Sequence, residues 1–157
     1  MEMNSRFLEE INSSDQEIRR KVIEEFSFKE IPDELIETFV NCLVDEDSGV
    51  RDAASIALIN SQNPDIPNSI VKLIKSNDLS VRNLVGEILI KKGRESIPAL
   101  YNFLPEGNDD DKKFIIDIIG LIGDSSDEEK IISILNNTSN QNLILSCIEA
   151  LGNIKGN

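Results

Sequence analysis

A short phrase that recurs about every 31 residues constrains this chain more than any other feature. Asp47-x-x-Val50-Arg51 and Asp78-x-x-Val81-Arg82 each open an apolar-periodic stretch, and a weaker copy precedes them at Asp15-x-x-Ile18-Arg19. Degenerate copies run from Asn108 to Lys112 and from Asn140 to Ile144. With Ile18, Val50, Val81, Asp111 and Leu143 taken as equivalent, the spacings are 32, 31, 30 and 32 residues. A fixed period in this range is the mark of stacked supersecondary units, each too small to bury its apolar face alone.

Aligning the units on the Val position exposes columns that behave alike. Eleven residues before it stand Phe7, Phe39, Ile70, Leu100 and Ile132; eight before it, Glu10, Cys42, Leu73, Phe103 and Leu135; seven before it, Ile11, Leu43, Ile74, Leu104 and Asn136. Offsets of three, four and seven lie on one face of a helix, which predicts a first helix in each unit. Four residues after the Val position come Val22, Ala54, Val85, Ile115 and Cys147, and eight after it Phe26, Leu58, Leu89, Ile119 and Leu151. The spacing is again helical and predicts a second helix, with a short polar turn such as Asp45 to Gly49 between the two.

Boundary residues agree with this division. Pro32, Pro67 and Pro98 fall near the starts of first helices, where a missing amide costs little. Asp15, Asp47, Asp78, Asn108 and Asn140 all stand three residues before the Val position, as N-caps of the second helices. Ser126-x-x-Glu129 has the spacing of a capping box for the last first helix. Gly93, Gly123 and Gly156 fall where a second helix would stop at a left-handed glycine. Asp111 breaks the pattern, a carboxylate in an apolar column.

The phrase Asp45-x-Asp47-x-x-Val50-Arg51-x-Ala53-Ala54-x-x-Ala57-Leu58 resembles the HEAT repeat, especially the bacterial variety similar to phycobilisome-lyase repeats. Ile119-Gly120-Leu121-Ile122-Gly123-Asp124 and Ala150-Leu151-Gly152-Asn153-Ile154 look like the ends of such repeats. The resemblance implies an all-α fold, a right-handed α-α superhelix of about five two-helix repeats spanning residues 1–157 as one domain. The repeats run approximately over 1–30, 31–62, 63–95, 96–125 and 126–157. It also implies a polar ladder between adjacent repeats, carried by Arg19, Arg51, Arg82 and Lys112 with Asp47 and Asp78 as partners. Ile144 ends that ladder in the fifth unit.

Composition narrows the function. The net charge of −13 argues against nucleic acid, whose phosphates need Lys and Arg, and against an anionic membrane surface. No apolar run approaches the roughly 18 residues of a membrane span. The acidic segment Met1 to Glu10 has no secretory h-region. Two cysteines 105 residues apart, without a CxxC, point to neither a disulfide framework nor a zinc site. A reducing, cytoplasmic setting is the expectation. There is no His and no Trp, which removes the commonest general acid-base group. Cys42 and Cys147 share columns with Leu, Phe, Val and Ile and are read as core fillers. Asp109-Asp110-Asp111 is read as a solvated helix start rather than a cation site.

No catalytic residue, cofactor or metal is therefore expected, and the surface remains. Second helices line the inner, concave face in HEAT-like proteins, so residues two, five, six and nine after the Val position are predicted to point outward. They include Ile56, Ile59, Glu87, Ile90, Lys113, Ile116, Asp117, Leu145, Ile148 and Glu149. This predicts a non-catalytic scaffold that seats a basic or amphipathic segment of another protein along that face. A bilin lyase or isomerase subunit is the alternative that the repeat subtype suggests. A DNA-processing protein similar to HEAT-like glycosylases is a further one, opposed by the charge. At the ends, Glu10, Lys21 and Glu25 polarise the first unit, as a solenoid cap requires. The fifth keeps Cys147, Ile148, Leu151 and Ile154 apolar, so its outer face is expected to meet further chain or another surface.

Overall fold

The computed structural model describes the backbone of residues 2–155 and the side chains of residues 5–154. Every regular element among the described residues is helical, and the helices come in pairs. The first unit holds α1 (Glu2–Ile11) and α2 (Gln16–Glu24); the second holds α3 (Ile36–Cys42) and α4 (Ser48–Asn60). In the third, α5 (Ile66–Ile70) runs on as a 3-10 segment, Val71–Lys75, ahead of α6 (Leu79–Lys92). The fourth holds α7 (Ile97–Phe103) and α8 (Asp109–Ile122), the fifth α9 (Glu128–Asn136) and α10 (Gln141–Lys155). Pro67 and Pro98 sit in the first turns of α5 and α7, where a missing amide costs little, and Pro105 sits in the tight turn that follows α7. The second helices pack side by side in chain order, α2 on α4, α4 on α6, α6 on α8, α8 on α10.

All five predicted N-caps form. Asp15 accepts from the Glu17 amide, Asp47 from Val50, Asp78 from Ser80, Asn108 from Asp111 and Asn140 from Leu143, at 2.8–3.0 Å. Asp111 is no defect: its carboxylate accepts the Asn108 amide at 3.0 Å, completing a capping box, and it is buried beneath Arg82 at 3.8 Å. The box expected at Ser126 and Glu129 forms two residues earlier instead, between Asp124 and Asp127. Gly93 ends α6 with φ of 65°, as a left-handed stop requires, whereas Gly123 ends α8 in extended backbone. Gly156 lies outside the described residues.

The columns form the core. Val22, Ala54, Val85, Ile115 and Cys147 are all buried, as are Phe26, Leu58, Leu89 and Ile119. Each such Val, Leu or Ile contributes about 1.5–3 kcal/mol of burial. The rings of Phe7, Phe26 and Phe39 meet at centroid distances of 5.2–5.6 Å and tie the first unit to the second. One column shifts: Ile131 is buried and Ile132 is not. In α9 the buried face is thus turned by one position relative to the column.

Polar contacts join neighbouring units along two seams. In the turns inside the units, Arg19 binds Asp45 of the next unit through two bonds, 3.0 and 2.9 Å, and donates to the Ser13 carbonyl at 2.8 Å. Arg51 repeats the last bond to the Asp45 carbonyl at 3.1 Å. Asp47 and Asp78 are engaged as caps and do not carry the expected ladder; Asp45 and Asp111 take the arginines. The ladder is discontinuous, because Ser76 replaces an acid where Arg51 would need one. Lys112 lines a shallow hollow with Asn137 and Leu143 and forms no ion pair among the described residues. Burial pushes the Asp45 carboxyl up, but hydrogen bonds from Arg19 and the Asp47 amide outweigh it and leave the group below its usual range.

The second seam, in the turns between units, was not foreseen from the sequence. Glu30 accepts from Ser61 Oγ and the Gln62 amide at 3.0 and 2.8 Å, and Lys92 donates to the Ser61 carbonyl at 2.7 Å. Further along, Arg94 and Tyr101 Oη both donate to buried Asp127, at 3.0 and 3.1 Å. These letters differ from turn to turn, so no period announces them.

Candidate partner-binding groove

A groove opens between α6 and α8, and small residues explain why it opens there. At the α8–α10 seam a Cβ on Gly120 would stand 3.0 Å from the Ala150 Cα, so those helices touch backbone to backbone. At the α6–α8 seam the gap left by Gly86 is taken by the Phe114 ring, whose Cζ would be 2.8 Å from a Cβ on Gly86. An aromatic wedge spaces the helices apart. The Arg82 guanidinium lies over the outer face of that ring, 5.2 Å from its centroid.

The result is a hollow of about 370 Å³ lined chiefly by Gly86, Ile90, Phe114, Ile118 and Leu121, with the carboxylates of Glu87 and Asp117 and the Lys91 ammonium on its flanks. A second hollow of about 260 Å³ continues it toward the helix starts, where Leu79, Arg82, Asp110 and Lys113 stand. Asn83 lines both, and also a polar hollow of about 440 Å³ between α4 and α6. Lys113 is held to Asp117 at 2.8 Å.

The structure brings Glu87, Ile90, Lys113 and Asp117 together on this groove and places the other predicted residues elsewhere. Ile56 is 50% exposed on α4, beyond the lining, and Ile59 packs partly into the core. Ile116 contradicts its prediction: it is 0% exposed. The reason is general, since Ile23, Ser55 and Gly86 in the same column are also buried. That column faces the next unit, not the open surface. Leu145, Ile148 and Glu149 are exposed on α10, away from the groove. Sequence reasoning missed Phe114, Ile118 and Leu121; the clue was an aromatic three residues after the Val position, where the second unit has Ala53.

The remaining chemistry is sparse. Cys42 and Cys147 are free and buried; burial pushes the Cys42 thiol up to about 12 and raises that of Cys147. A thiol held protonated is a poor nucleophile. Among the described residues no group of three or more His, Cys, Asp or Glu is placed to hold a metal ion. Asp109-Asp110-Asp111 is divided, with Asp111 turned inward as a cap and Asp109 facing Asn140 at 3.3 Å. No described helix is long and apolar enough to cross a membrane.

No family model matches the chain, and no curated protein does. A solved structure similar to it is that of an engineered protein from the Northeast Structural Genomics Consortium. The two are 21% identical, with 96% of this chain and 78% of the other covered and a TM-score of 0.46. That likeness is too distant to bear on fold or function.

Proposed function

We propose that this is a HEAT-like repeat protein, its helix pairs wound into a right-handed superhelix, which acts without catalysis. Its α6–α8 groove seats an amphipathic, basic helix of a partner protein. The observation that carries this reading is the apolar strip of Phe114, Ile90 and Leu121 over buried Ile118, bordered by Glu87, Asp117 and Lys91. A 14-residue helix such as α6 is about 21 Å long, enough to match four turns of a partner with apolar anchors at i, i+3, i+4 and i+7. Lys or Arg beside those anchors complements Glu87, Asp117 being held by Lys113, and the net charge of −13 favours the approach of such a segment. Two free, buried cysteines fit a reducing, cytoplasmic setting.

The test is paired affinity capture with the wild-type chain and an Ile90→Asp/Leu121→Asp variant, followed by titration of the captured protein's helix as a labelled peptide. Both positions reach solvent, so the variant is expected to keep its helical circular dichroism. Losing two apolar contacts worth about 1.5 kcal/mol each is expected to weaken the peptide by roughly 100-fold. Equal affinity for both chains sinks the groove reading.

A further inference from the structure

We propose that a hollow at the seam between the fourth and fifth units binds a small monocarboxylate with a short apolar tail. The repeat supplies the template for this site. At the seam between the first two units, Arg19 holds Asp45, 26 residues further along the chain, through bonds of 3.0 and 2.9 Å. Asp45 in turn accepts the Asp47 amide at 2.9 Å. Lys112 and Thr138 stand in the same two columns and are also 26 residues apart. Thr138 Oγ1 accepts the Asn140 amide at 3.2 Å, as Asp45 accepts that of Asp47. The two turns are built alike, with a hydroxyl at the later one where the earlier has a carboxylate.

The consequence is a cation without its anion. Among the ladder cations, Arg51 donates to the Asp45 carbonyl and Arg82 faces Asp111. The Lys112 side chain has neither a hydrogen bond nor an ion pair among the described residues. Beside it the space is open, since Lys112 and Thr138 both line a hollow of about 320 Å³. Leu104, Pro105, Ile134 and Leu143 make its apolar wall. Asp109, the one acid in the lining, already accepts from the Asn140 side-chain amide at 3.3 Å. An ammonium and a hydroxyl at the edge of an apolar wall suit a carboxylate on a hydrocarbon tail, the charged end fixing the orientation and the tail displacing water. The volume lies at the small end of ligand sites, which favours a tail of a few carbons. The net charge of −13 opposes any anion from afar, but at about 0.15 M salt charges beyond about 8 Å are largely screened. This site shares no residue with the α6–α8 groove.

The experiment is a titration of the full chain with sodium butyrate and sodium hexanoate at fixed ionic strength, read from the amide resonances of Asn137, Thr138 and Leu143. Saturable shifts are expected at those amides, tightening by up to about fourfold per added methylene. For hexanoate the expected Kd is roughly 1–10 mM, the range open to a ligand of about eight non-hydrogen atoms. Hexan-1-ol keeps the tail without the charge and is expected to bind about tenfold more weakly. Lys112→Gln is expected to bring hexanoate down to the level of the alcohol. Thr138→Asp places the chain's own carboxylate in the slot, as at Asp45, and is expected to abolish hexanoate binding. Both positions are partly open to solvent, so both variants are expected to keep the helical circular dichroism. Ile90→Asp/Leu121→Asp is expected to bind hexanoate like wild type. The absence of a saturable shift with hexanoate overturns the proposal. So does hexan-1-ol binding as tightly, undiminished binding by Lys112→Gln or Thr138→Asp, or loss of binding in the groove variant.

Discussion

Gly86 and Gly120 both lie inside second helices, and replacing each with Ala tests how the two seams are built. In an unconstrained helix interior either change gains about 1 kcal/mol of propensity. What the new methyl meets decides the outcome. At Gly120 it meets the backbone Cα of Ala150 at 3.0 Å and its Cβ at 3.1 Å. Neither can turn away, so α8 and α10 must separate, at an overpacking cost of about 1–3 kcal/mol. Gly120→Ala is therefore expected to be destabilised by up to about 2 kcal/mol, a fall in Tm of several degrees for a chain of this size. At Gly86 the methyl meets the tip of the Phe114 ring, which can swing toward the groove. The loss there is a contact between Arg82 and the ring worth about 0.5–1 kcal/mol, so Gly86→Ala is expected to be neutral to slightly more stable. Thermal and urea unfolding of the two variants give the comparison. Gly120→Ala as stable as wild type or more so would refute backbone contact at the α8–α10 seam.

Other outcomes follow from the caps, the ladder and the thiols. Asn108→Ala removes the side-chain half of a capping box, leaving the bond from its own amide to Asp111, and is expected to cost about 1 kcal/mol, read as a lower urea midpoint at unchanged slope. Asp45 has a folded pKa below its unfolded one, so its contribution is full above the unfolded value near 4 and fades as pH falls through the folded value. Asp45→Asn is accordingly expected to flatten the acid side of the stability profile below about pH 4, while a profile parallel to wild type removes Asp45 from the ladder. Cys42, its thiol near 12, and buried Cys147 are expected to resist a thiol reagent at pH 8 until denaturant is added. Rapid labelling of native protein would contradict their burial.

Much of the paired-helix arrangement was legible because its causes are local. An N-cap is chosen by the residue and the two or three amides after it, so five caps could be read from five letters. The apolar columns follow from helical spacing and slip where a helix turns its buried face by one position, as at Ile131. The site was less legible because it depends on how one unit sits against the next. Whether the column of Ile116 faces solvent or a neighbour is a matter of rotation about the helix axis, which spacing within a unit does not report. Nor could the groove be placed without knowing that Phe114 lands on Gly86, a meeting of residues 28 positions apart. Asp111 shows the converse: an apparent flaw in an apolar column was a correct local signal for a helix start.

The Phe114 wedge has a consequence for how the molecule loses its structure. In a row of helices joined chiefly to their neighbours, cooperativity is limited by the weakest junction. The α6–α8 seam is held by a ring and a 3.8 Å ion pair, whereas the α8–α10 seam is closed backbone to backbone. Amide exchange should thus reveal two blocks, α1 to α6 and α7 to α10, that open against each other before either melts. A ligand lying in the groove touches both blocks and acts as a splint. Its binding energy then appears partly as slower exchange in helices that it never contacts.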